Sequence, residues 1–176
     1  SHRVSAGGDP KKIVFVSIHA DSLHSSLRGA MIYVPGLLKN PSSYGKSGSV
    51  YTTRKEVREQ PRVGFVRSER VESEGLSRDL AEHVIRAFRS QSLAVHANKP
   101  VRDRVVRQRS AYVPAVLRYN EVPAKVLVEV CNLANAEDRR LIRTAAFRER
   151  VAKAIVNGIL DYYGEGGGNG VRIAGG

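Results

Sequence analysis

The sequence predicts an α/β protein: a mostly parallel, twisted sheet with helices on both faces. Three observations predict it. "KIVFVSIH" (12–19) and "AKVLVEV" (124–130) are near-continuous apolar runs of strand length, as in parallel strands buried on both faces. Between them, "SEGLSRDLAEHVIRAFRSQS" repeats Leu76, Leu80, Val84 and Phe88 at every fourth residue, the spacing of an amphipathic helix. A closing helix repeats Phe147, Val151, Ile155 and Ile159 in the same way. Strands alternating with helices bury their apolar faces by layering helix on sheet.

Taken in order, the first ten residues, "SHRVSAGGDP", are polar and read as an N-terminal extension or tag remnant. The folded body then spans 11–163. After the first strand and a Ser-rich loop, "RGAMIYVP" (28–35) reads as a neighbouring strand stopped by Pro35-Gly36. Residues 36–72 are rich in Gly, Ser, Arg and Lys without sustained period, and are either a functional insertion or partly disordered. Within it "TRKEVREQP" predicts a short helix, with Thr53 and Glu56 as a capping box and Pro61 as the stop. Ser73 is the expected N-cap of the following helix. "PAVLR" reads as a helical turn, and "NAEDRRLI" as a short helix capped by Asn135, with Glu137 and Asp138 at its positive end. Gly164 is the expected stop of the last helix, and 164–176 form a flexible Gly-rich tail.

Composition narrows the function classes. The 176 residues are enough for one domain with a sizeable core, and 41% are apolar. No window reaches the roughly 18 apolar residues of a membrane span. The net charge of +12 favours anionic partners such as an acidic polymer. With Phe 4, Tyr 7 and Trp 0, no basic-aromatic stacking module stands out, so nucleic acid is not the expected partner. The single Cys131 excludes an intrachain disulfide and a multi-cysteine metal site.

Two polar residues interrupt otherwise apolar strands, His19 and Glu129. Ligands of open α/β sheets sit beyond the carboxyl ends of the strands, where these two residues can share a crevice. An imidazole there suits a metal ion, and a carboxylate suits proton transfer to and from water. A buried carboxylate without a partner costs several kcal/mol, which argues for a role at Glu129. His24, His83 and His96 read as surface residues, and Cys131 as a small buried hydrophobe.

"FVSIHADS", "RGAMIYV", "SRDLAEHVIRAF", "YVPAVLRYNEVPAKVLVEVCNLANAEDRRLI" and "RVAKAIVNGILDYY" together resemble the zinc-dependent N-acetylmuramoyl-L-alanine amidases of the amidase-3 family. The resemblance covers most of 11–163 apart from the insertion, and it implies the C-terminal portion of the catalytic domain. It implies Zn²⁺ as cofactor, with His19 as a zinc ligand, Glu129 as the catalytic acid–base group and Asn135 closing the second motif. It also implies peptidoglycan as substrate, an extracytoplasmic location (periplasm or cell wall), and a protein activator acting on the 36–72 insertion. The chain departs from the family at Cys131-Asn132, where Gly-Phe is usual, and shows no upstream strand ending in Gly-His. The alternative is a catalytically degenerate amidase fold serving as a peptidoglycan-binding or regulatory module.

Overall fold

The computed structural model describes residues 12–39, 41–46, 52–107 and 110–165. The N-terminal extension and the tail beyond Glu165 lie outside the described residues. A central sheet is flanked by helices. Its strands are β1 (Val14–Asp21), β2 (Met31–Tyr33), β5 (Val101–Arg102) and β8 (Ala124–Asn132), in the order β1-β8-β2-β5. Two small antiparallel pairs stand apart from it: β3 (Ser43–Gly45) with β4 (Arg62–Gly64), and β6 (Val105–Arg107) with β7 (Ser110–Tyr112). The helices are α1 (Lys55–Glu59), α2 (Arg67–Ser90), α3 (Ala115–Arg118), α4 (Ala136–Ile142) and α5 (Ala145–Glu165).

Strand direction follows from the hydrogen bonds. Ile32 N donates to Pro100 O and Val34 N to Arg102 O, so β2 and β5 advance together. Leu133 N donates to Asp21 O, so β1 and β8 end side by side. Both pairings are parallel. Every residue of β8 is buried, as its unbroken apolar run requires. β1 corrects the expectation of burial on both faces. Among the described residues it is an edge strand of the sheet, none of its residues is fully buried, and Ile18 is 61% exposed.

The chain divides into two compact units, described in turn. The first holds 1–17, 33–78 and 102–127. Here the described part of the insertion carries regular elements. β3 and β4 pair with Tyr44 opposite Val63, and Val63, Phe65 and Leu37 are buried. The short helix exists as α1. Val57 N and Arg58 N both donate to Arg54 O at its first turn; the Glu56 side chain, and with it the expected Thr53–Glu56 box, lies outside the described residues. Helix α2 also begins earlier than expected. Glu69 reaches back to accept from Val66 N at 2.8 Å, half of a capping box, and so starts the helix at Arg67. Ser73 is therefore not a cap. It lies buried inside the helix and donates to Pro123 O, as does Ser77, which also accepts from Lys125 N. Lys125 is fully buried over the Phe65 ring, with Nζ donating to Asn120 O, and burial pulls its pKa down to about 8.

The second unit holds 18–32, 79–101 and 128–176. Leu80, Val84 and Phe88 are fully buried, and Phe147, Val151 and Ile155 nearly so, as their spacing predicts. The two helices approach closely at Gly158, where a Cβ would stand 2.6 Å from Val84 Cα. α5 continues through Gly164 to Glu165, one residue past the expected stop. His83 and His96 correct the surface assignment: both are buried. His83 packs edge-on against Tyr162, with Nδ1 2.9 Å from Asp79 O, and His96 Nδ1 accepts from Asn98 N. His24 is exposed, as expected.

Candidate active site

The site lies within the second unit, where β1 and β8 end. Three side chains hold this end together. Asn132, the last residue of β8, is buried and uses all four hydrogen-bonding positions of its amide. Oδ1 accepts from Leu23 N and Ala134 N, while Nδ2 donates to His24 O and Leu27 O. Asp138 on α4 accepts from both Gly29 N and Asn132 N through Oδ2, and its Oδ1 lies 3.5 Å from Arg28 Nε. Asn135 caps α4, accepting from Glu137 N and Asp138 N, and donates to Ser25 O. Together they fasten the 22–29 loop to the end of β8. Gly29, at φ +88, turns the chain into β2 in a space where a Cβ would meet Ala94 C at 2.7 Å.

Glu129 sits three residues before this clasp, on a strand buried along its whole length. Its Oε2 is buried with no hydrogen-bond partner among the described residues. Burial pushes its pKa up to about 7, and the Asp21 carboxylate adds to the rise. A carboxyl so held changes protonation state near neutral pH, the property a general acid–base group needs. Cys131 is buried and its pKa is pushed up to about 11, first by burial and then by Asp138 and Glu129. It stays a thiol at neutral pH, so it packs as a small hydrophobe.

His19 is exposed on β1, two residues before Asp21. The electrostatic coupling of Glu129 runs to Asp21. His24 follows in the loop with Nδ1 engaged by the Ser26 amide and hydroxyl. Among the described residues no three His, Cys, Asp or Glu side chains group to hold a metal ion. Their donor set is thus short of the three protein ligands a catalytic zinc keeps.

A family model described as N-acetylmuramoyl-L-alanine amidase, Amidase_3, matches residues 1–161. The chain belongs to the amidase-3 family. N-acetylmuramoyl-L-alanine amidase AmiA of Salmonella typhimurium is 26% identical over 163 residues, covering 85% of this chain and 52% of the relative. LytC of Bacillus subtilis is 36% identical over 67 residues, covering 38% of this chain and 13% of the relative. Among solved structures, the amidase Ami1 of Mycobacterium smegmatis superposes with a TM-score of 0.51 at 20% identity, over 86% of this chain and 54% of that one. The CwlD amidase of Clostridioides difficile, solved in complex with the GerS lipoprotein, gives 0.52 at 19% identity, over 93% and 59%. These likenesses establish the fold. The amidase-3 chain spans about half the length of the curated relatives AmiA it matches.

The sequence of this amidase-3 chain singles out His19 and Glu129. It does not single out Asp21 as the charge facing Glu129, or Asn132 and Asp138 as the clasp. The Cys131-Asn132 departure is a signal for the second: an amide at the end of a buried strand needs partners.

Proposed function

We propose that this amidase-3 chain hydrolyses the amide joining the lactyl group of N-acetylmuramic acid to the L-alanine of the peptidoglycan stem peptide. The observation that carries the reading is Glu129, buried, with Oε2 unpartnered and a pKa of about 7. As carboxylate, Glu129 takes the proton of the attacking water. As carboxylic acid, it returns that proton to the leaving alanine nitrogen. Desolvation by the β8 surroundings and the Asp21 charge keep both forms accessible near neutrality. The family resemblance names zinc as the cofactor and His19 as one ligand; the proton transfer itself rests on Glu129.

The substrate places the reaction at the cell wall, outside the cytoplasmic membrane, and the +12 charge suits an anionic wall. Among the described residues no helix is long and apolar enough to cross a membrane. A protein activator acting on the 36–72 insertion completes the reading.

A second reading is favoured by the short donor set: a degenerate fold that binds peptidoglycan without cleaving it. Incubating the natural full-length protein with purified peptidoglycan separates the two. Hydrolysis releases stem peptides with new L-alanine amino termini, whereas co-sedimentation without release identifies the binding module.

A further inference from the structure

In the first unit, Tyr44 on β3 meets Arg118, the last residue of α3, and Tyr119, which caps that helix. The Arg118 guanidinium lies 4.6 Å from the Tyr119 ring centroid and 5.7 Å from that of Tyr44. The two rings stand edge to face, 6.5 Å apart. Arg118 Nη2 donates to the Tyr119 hydroxyl, which itself donates to Gly45 O, so that hydroxyl is fully used. Two donors are left over. Arg118 Nε and the Tyr44 hydroxyl are both buried with no acceptor among the described residues. No carboxylate pairs with Arg118 among the described residues. The charged groups that face the Tyr44 hydroxyl are Arg118 and Arg70.

A buried donor left unmatched is costly, and here two of them lie side by side next to a guanidinium. What the cluster lacks is an acceptor carrying negative charge. We propose that Arg118 and Tyr44 form a binding site for the carboxylate of a peptide. A carboxylate is flat, and its two oxygens match the edge of a guanidinium while accepting from a phenol. Both tyrosine rings lie within cation–π distance of the guanidinium, and Nη2 is held by the Tyr119 hydroxyl. The rings also hold Arg118 in place beforehand, which lowers the entropic cost of binding.

The test reads binding alone, so its failure leaves the amidase reading standing. The ¹⁵N-labelled chain is titrated with acetate, N-acetyl-L-alanyl-D-glutamate, inorganic phosphate and chloride at constant ionic strength, following the Arg118 Nε–H and Tyr44 ring signals. The expected result is saturable movement of both signals with the two carboxylates, with binding roughly tenfold weaker in Tyr44→Phe. Arg118→Lys should abolish the response of the Tyr44 ring. Linear shifts equal to those in chloride, or none, would show that the donors hold water only and overturn the site. Saturation by phosphate but not by carboxylates would overturn the ligand class. The wild-type titration decides between these outcomes even if a variant does not fold.

Discussion

A carboxyl group buried inside a sheet is neutral by preference, and Glu129 shows what that preference costs. Its folded pKa of about 7 stands above the unfolded value of 4.5. Between those values the folded state binds the proton more tightly, so stability falls as pH rises from 4.5 toward 7. Glu129→Gln removes the ionised form and should stabilise the chain at pH 8, by at most about 3 kcal/mol, with no such gain at pH 4. Thermal melts of both proteins at the two pH values check this. Equal differences at both would show that Glu129 ionises as freely folded as unfolded. The Glu129 position is legible because a lone acid in an apolar strand is conspicuous. Its setting is not: the Asp21 charge comes from another strand, and Asn132 and Asp138 gather around the 22–29 loop, whose path no local pattern specifies. The burial of His83 escapes the sequence for a related reason: its neighbours Leu80, Val84 and Ala87 bury so wide an arc of α2 that a polar residue within it is covered too.

Elements with sustained periods are the ones the sequence specifies well. β8 and the buried stripes of α2 and α5 lie where apolar spacing puts them, whereas the first turns of α2 are polar and blend into the insertion. Glycine separates local propensity from packing on these two helices. A Cβ added at Gly75 of α2 would meet nothing within 4 Å, so Gly75→Ala should stabilise by about 1 kcal/mol. Gly158→Ala gains the same propensity but drives its methyl into Val84, and should destabilise. Urea unfolding of the two variants should give opposite signs; two gains would mean that α2 and α5 do not touch there. The insertion admits a cleaner excision than its full span. Lys46 N donates to Pro61 O at 2.8 Å, so 47–60 leaves and returns at one point. Replacing 47–60 with a short Gly-Ser bridge keeps the β3–β4 pair and the buried Val63 and Phe65. If an activator works through this segment, the excised full-length protein should hydrolyse peptidoglycan faster without it. Unchanged rates in a folded variant would remove that role.

For the molecule as a whole, the fold class is legible and the metal site is not. The alternation of strands and helices fixes a layered α/β architecture, but a metal site is a tertiary assembly of single residues. The described residues bring no three ligating side chains together. The isolated 176-residue chain should therefore hold zinc weakly and lose it on dialysis against a chelator. Elemental analysis by mass spectrometry decides this, and stoichiometric, chelator-resistant zinc would reveal further ligands in the chain. The rate of stem-peptide release by Glu129→Gln in the full-length protein tests the acid–base role of Glu129 most directly. Gln keeps the shape and cannot carry the proton, so the rate should fall by about 10²–10⁴-fold while zinc content is unchanged. A variant retaining more than roughly a tenth of the wild-type rate would contradict the assignment of Glu129 as the acid–base group.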